Sequence, residues 1–150
     1  MQIEKIGIVG AGQMGSGIAH VCALAGLDVT LQDVDGEALK RALAAIDKNI
    51  ERQVAKGKVS SVAKQITLAR IHVTGSLADL AASDLIIEAV TEREDAKRAI
   101  YKELTPSLRP ETIIASNTSS ISITRLAAAT DRPERFIGVH FMNPAPVMQL

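Results

Sequence analysis

The sequence predicts an α/β fold, a doubly wound and mostly parallel sheet with helices on both faces, on three observations. Short apolar runs alternate with segments of helical period along the whole chain. Runs such as Leu85-Ile86-Ile87 are apolar on consecutive positions, the pattern of strands covered on both faces. A glycine-rich turn, Gly10-Ala11-Gly12-Gln13-Met14-Gly15, separates the first strand from the first helix.

Each element has its own signal. Ile3 to Val9 is a strand stopped by Gly10. Ile18, Val21, Cys22 and Ala25 recur at helical spacing, and Gly26 stands where a helix-ending glycine belongs. Val29-Thr30-Leu31 is the second strand and ends in Gln32-Asp33. Leu39, Leu43, Ile46, Ile50 and Val54 make a long amphipathic helix, which runs out in Arg52, Lys56, Gly57 and Lys58. Ser60 caps a short helix to about Ala69. Ile71-His72-Val73 and Leu85-Ile86-Ile87 are the third and fourth strands. Thr91 with Glu94 predicts a capping box for a helix through about Leu104, closed by Pro106 and Pro110. Thr112 to Ala115 is a fifth strand, Ser122 to Ala129 a short helix, and Phe136 to Val139 a sixth strand. Val147-Met148-Gln149-Leu150 reads as a further strand cut in mid-run, so the chain is expected to be the first domain of a longer protein.

Composition narrows the function classes. With 150 residues there is material for one core, so residues 1–150 are expected to be one domain. Lys plus Arg, 17, equals Asp plus Glu, 17, which leaves no basic footprint for a nucleic-acid backbone. Tyr101, Phe136 and Phe141 are too few for base stacking. The single Cys22 lies on an apolar helix stripe, where it packs; it excludes an internal disulfide or a cysteine metal cluster and suits the cytoplasm. No apolar run approaches the roughly 20 residues of a membrane span, and the N-terminus has no signal-peptide shape. Neither nucleic acid nor membrane is an expected partner, and no metal is expected.

The turn has the G-x-G-x-x-G spacing in the setting its physics requires. Gly10 permits the tight turn, Gly12 lets the backbone approach a pyrophosphate, and Gly15 lets helix and strand pack closely. The helix N-terminus then offers free N–H groups and partial positive charge. Asp33, at the end of the second strand, can accept hydrogen bonds from an adenosine ribose diol and repel a 2′-phosphate. Val34 stands where an arginine would have welcomed that phosphate, so NAD is expected over NADP.

Ligands of open α/β sheets lie beyond the carboxyl ends of the strands. The polar residues there are Asp33, Glu88 through Glu92, Ser116-Asn117-Thr118-Ser119 and His140. An imidazole beside a nicotinamide can act as general base for an alcohol. By position alone His140 fits that role and a backbone-satisfied histidine equally. Ser119 and Asn117 read more readily as helix caps, and Glu92 as a first-turn acid. His20, inside a helix, is expected on its surface, and His72 starts a strand, at the wrong end of the sheet.

Three segments carry a resemblance. They are Ile8 to Ala19, Ala115-Ser116-Asn117-Thr118-Ser119-Ser120, and Gly138-Val139-His140-Phe141-Met142-Asn143-Pro144. Together they resemble the L-3-hydroxyacyl-CoA dehydrogenases, the 3-hydroxybutyryl-CoA group most of all. The resemblance implies a Rossmann-type NAD-binding domain over residues 1–150. It implies an enzyme that oxidises (3S)-3-hydroxyacyl-CoA, in particular a short-chain one, to 3-oxoacyl-CoA with NAD, in β-oxidation or butanoate metabolism.

By the same resemblance His140 matches the general base, and Ser119 the serine that hydrogen-bonds the reacting oxygen. Asp33 matches the ribose ligand; Glu92, Lys97, Ser119 and Asn143 match cofactor-lining positions, with Ala89 approaching through its backbone. Ser116 and Asn117 support the same loop. Arg52 and Lys56 fall where the family places basic residues against CoA phosphates, although Arg52 is commonly lysine there. The base's glutamate partner and an asparagine of a helical substrate and dimerisation domain are expected outside this chain, so the isolated domain is expected to catalyse little. Two rivals share the glycine loop and Asp33: a non-catalytic dinucleotide-binding or crystallin-like relative, and another β-hydroxyacid dehydrogenase. His140 and Ser119 weigh against the first, and His140 against the second, whose members use a lysine base.

Overall fold

The computed structural model describes residues 1–150. Its elements are β1 (Lys5–Val9), α1 (Gln13–Leu24), β2 (Asp28–Gln32), α2 (Gly36–Ala55), α3 (Ser61–Ala69), β3 (Ile71–Thr74), β4 (Leu85–Glu88), α4 (Glu94–Leu104), β5 (Ile113–Ser116), α5 (Ile123–Ala127) and β6 (Phe136–Gly138). All six strands are parallel, in the order β3-β2-β1-β4-β5-β6. The order reverses direction between β1 and β4, and a crevice opens there at the carboxyl ends.

Period-two alternation assigns side chains to two apolar layers. Ile8, Ile87 and Ala115 point to the layer under α1 and α2, while Val9, Ile86 and Ile114 point to the layer under α4 and α5. α2 turns one stripe inward: Leu39, Ala42, Ile46 and Ile50, stepping by three or four residues, are its buried side chains. The strand alternation also places Glu88 and Ser116, opposite each other in register, on the α4 side. No helix is long and apolar enough to cross a membrane.

The predicted elements are present, and three local expectations are corrected. The capping box fails: Arg93 N–H returns to the Thr91 carbonyl in a tight turn, so α4 begins only at Glu94, with Arg93 as an N-cap that makes no side-chain bond. Glu94 instead pairs with Arg98 and Arg125. The closing residues are a turn and not a strand, because Val147 and Met148 N–H both donate to the Pro144 carbonyl. Pro144 and Pro146 have no N–H to give to a ladder. His20 is buried, 1% exposed, because α2 packs over its side of α1 and Gln53 meets its Nε2 at 3.0 Å.

Candidate active site at the carboxyl edge

The glycine loop is shaped by contact at one end and by openness in the middle. Gly10 has φ +103°, and a Cβ on Gly15 would lie 1.7 Å from the Gly10 carbonyl oxygen, so β1 and α1 pack backbone to backbone. Gly12 is different. Its φ of −74° suits any residue, and a Cβ there would meet nothing within 4 Å. Neither conformation nor packing inside the chain demands glycine at 12; what remains is close approach by something from outside. The α1 N-terminus has no side-chain cap and no acid in its first turn, the condition of an anion-accepting helix end.

Asp33 sits just past β2 and braces the loop. Its Oδ2 accepts from Ala11 N–H at 2.8 Å and its Oδ1 from Asp35 N–H at 2.9 Å. Each oxygen keeps a lone pair for a diol. A cavity of about 420 Å³ opens beside it, with Gly10, Val34, Gly75 and Leu77 on its wall. Val34 is 90% exposed there and carries no charge for a 2′-phosphate.

Across the β1/β4 crevice a second cavity, about 280 Å³, gathers Met14, Ala89, Glu92, Lys97, Asn117, Ser119, His140 and Asn143. These residues come from the first turn of α1, from α4 and from the segments following β4, β5 and β6. His140 is exposed on this rim. Asn117 fixes the segment that carries it, since Asn117 Oδ1 accepts from Phe141 N–H at 2.7 Å. Val139 N–H also donates to the Ser116 carbonyl. Asn117 is therefore a strut between two loops and not a helix cap. Ser122 caps α5 instead.

Glu92 organises the serine loop. Its Oε2 accepts from both Ser119 N–H and the Ser119 hydroxyl at 2.9 Å, and its Oε1 accepts from the Thr118 hydroxyl. Partial burial alone would push this carboxyl up, but those donors and Lys97 outweigh it and hold Glu92 below the ordinary carboxylate value.

Beneath the rim lies a buried polar cluster that the strand-edge survey only half found. Glu88, 0% exposed, takes Lys97 Nζ at 2.6 Å and Val90 N–H at 2.9 Å on Oε2. Its Oε1 takes the Tyr101 hydroxyl at 2.7 Å and the Ser116 hydroxyl at 2.6 Å. Burial, then the Glu88 charge, drives the Tyr101 hydroxyl far above the ordinary tyrosine range, so it stays a donor. Lys97 also lies 3.6 Å from Glu92, which ties the cluster to the cavity wall. A glutamate closing a strand as apolar as Leu85-Ile86-Ile87 was the available signal for a paired, buried acid.

Arg52 and Lys56 are brought together elsewhere, on a third cavity of about 460 Å³ that also includes His20, Asn49, Gln53 and Lys58. A fourth, about 380 Å³, shares Asn49, Pro144 and Pro146 with it and reaches Ala11, Gly12, Gln13 and Asn143 at the glycine loop. The basic end and the loop thus lie along one face of α2. His20 contributes no exposed donor to this face, and its burial lowers its pKa despite the Gln53 bond. His72 lies on the opposite, amino edge with Lys5, Asp28 and Thr30, and Cys22 packs against the core with its thiol pushed up to about 11 by burial.

A doubly wound parallel sheet, an uncapped glycine-loop helix and an aspartate, Asp33, closing β2 beside that loop define a dinucleotide-binding domain of the Rossmann type. Residues 5–150 match the family described as 3-hydroxyacyl-CoA dehydrogenase, NAD binding domain, and the chain belongs to that family. It is 60% identical over 148 residues to the 3-hydroxybutyryl-CoA dehydrogenase of Bradyrhizobium diazoefficiens, covering 99% of this chain and 50% of that protein. It is similar to the solved (S)-3-hydroxybutyryl-CoA dehydrogenase PaaH1 of Ralstonia eutropha, with 48% identity, TM-score 0.96, and 99% and 53% of the two chains covered. A 3-hydroxybutyryl-CoA dehydrogenase structure from Escherichia coli K12 gives TM-score 0.96 at 42% identity, over 99% of this chain and 31% of that one. The chain thus spans about half the length of the first of these relatives.

Proposed function

We propose that this domain binds NAD and supplies the general base of a dehydrogenase that interconverts (3S)-3-hydroxyacyl-CoA, in particular 3-hydroxybutyryl-CoA, and 3-oxoacyl-CoA. The observation that carries the reading is the convergence of His140, Ser119, Glu92, Lys97 and Asn143 on one cavity across the crevice from the Asp33 pocket. The residues fit the cofactor: Gly12 leaves open space above the loop, and Asp33 keeps acceptors for a diol. Gly10 through Gly15 would hold the pyrophosphate, Asp33 the ribose, and Ala89, Glu92, Lys97, Asn117, Ser119 and Asn143 the nicotinamide end. Bound there, the cofactor supplies hydride transfer.

In the oxidation direction His140 removes the C3 hydroxyl proton as hydride leaves C3, and in the reverse direction it returns the proton. Ser119 steadies the reacting oxygen. Its single proton now points to Glu92, so it must turn to donate to a carbonyl oxygen. Arg52 and Lys56 hold CoA phosphates, and the α2 face joins them to the glycine loop. No carboxylate of this chain pairs with His140. A glutamate following the histidine motif closely would supply that partner, and a helical second domain the thioester contact and a dimer interface; the free Cys22 suits a cytoplasmic protein. The test is NADH-dependent reduction of acetoacetyl-CoA by the full-length protein. His140→Ala lowers kcat by at least about 100-fold; turnover near that of the wild type removes His140 from the role.

A further inference from the structure

We infer that Glu92 discriminates between the two redox states of the nicotinamide cofactor, binding the oxidised form more tightly through its charge; the inference rests on the cavity beside His140 being the nicotinamide pocket. The charges on the cavity wall do not cancel. Lys97 and Glu92 line it, and Glu88 lies directly behind Lys97. Lys97 Nζ is 2.6 Å from Glu88 and 3.6 Å from Glu92, with side-chain exposures of 2% for Lys97, 0% for Glu88 and 39% for Glu92. The ammonium and the Glu88 carboxylate close on each other out of reach of solvent. One carboxylate, Glu92, is left over on the open side.

Of the other cavity residues His140 alone is ionisable, while Met14, Ala89, Val90, Asn117, Ser119, Phe141, Met142 and Asn143 carry no formal charge. The neighbouring arginines Arg93, Arg98 and Arg125 pair with Asp95 and Glu94 on the surface of α4. An oxidised nicotinamide ring carries one positive charge and a reduced ring none. A fixed negative charge at that wall therefore favours the oxidised ring, whereas the uncharged contacts treat the two alike. At a half-exposed rim, an interaction across several ångströms corresponds to about a tenfold preference.

The experiment measures Kd for NAD⁺ and for NADH on the wild type and on Glu92→Gln at pH 8 and low salt, with circular dichroism as the fold control. Gln keeps the acceptor oxygen for Ser119 N–H and hydroxyl, and its amide replaces the Oε1 that accepts from the Thr118 hydroxyl. The expected result is an NAD⁺ Kd raised about tenfold with the NADH Kd changed less than about twofold. Glu92→Asp, which retains the charge, keeps most of the wild-type ratio. In the wild type, 0.5 M salt contracts the same ratio, a readout that stands even if the Gln variant does not fold. Equal weakening of both ligands assigns Glu92 to loop structure alone and overturns the inference, as does a ratio unmoved by charge or salt. A wild-type protein that binds neither ligand overturns the nicotinamide pocket itself.

Discussion

Replacing Lys97 with methionine isolates the buried cluster under the site. The substitution keeps the volume and removes the only cation from Glu88, a carboxylate with no exposure, paired at 2.6 Å. Breaking a buried pair from one side typically costs about 3–5 kcal/mol, because the remaining charge keeps its desolvation penalty. Here Tyr101, Ser116 and Val90 N–H still donate to Glu88, so the expected loss is at the lower end, about 3 kcal/mol. The Glu88→Gln/Lys97→Met double variant, with neither charge, recovers at least about half of that loss. Urea unfolding of the four corners of this cycle, followed by circular dichroism, gives the numbers. In the single variant Glu88 is left as an uncompensated charge in the core, which is what the double variant removes. A single variant within about 1 kcal/mol of wild type, or a double variant as unstable as the single, would mean that Lys97 does not neutralise Glu88 in the core.

Other substitutions separate fold from site. Gly15→Ala drives a Cβ into the Gly10 carbonyl and should destabilise by about 3 kcal/mol or more, read as a lowered Tm. Gly12→Ala, into open space, should leave stability within about 0.5 kcal/mol and weaken NAD binding at least about tenfold by titration. Asp33→Ala combined with Val34→Arg should move the affinity ratio toward NADP, and an unchanged ratio would count against the ribose contact. Asp84 is held at about 2 by the Glu4 and Lys5 N–H groups and by Arg109. Its folded pKa is depressed, so its stabilisation is complete above about pH 4 and disappears as pH falls toward 2. Asp84→Asn should accordingly lower stability at pH 6 and make no difference near pH 2. Cys22, with its thiol at about 11, should resist alkylation at pH 8 until the chain unfolds, read by mass spectrometry of iodoacetamide adducts.

The sheet was legible because its signals are local and repeated. Consecutive apolar positions in β4 and the step of Leu39, Ile46 and Ile50 in α2 record burial directly. Asp33, Ser119 and His140 emerge from asking which polar residues close strands, and β2, β5 and β6 do carry them to one edge. The pairing of those residues was not legible. Glu92 reads as a first-turn acid, yet it lies before α4 and grips a loop twenty-six and more positions away. Asn117 reads as a cap, yet its partner is Phe141. His20 reads as a surface residue because its cover, α2, is distant in sequence. Periodicity within an element shows which face is covered, and only the packing of elements shows what covers it.

The most direct test of the site is a crystal structure of this domain with NAD⁺ bound. The expected complex has adenosine against Asp33, pyrophosphate over Gly12 and the nicotinamide C4 roughly 5 Å from the His140 imidazole, leaving room for one alcohol carbon and its hydroxyl between them. A nicotinamide placed in the Arg52–Lys56 cavity, or turned away from His140, would contradict it.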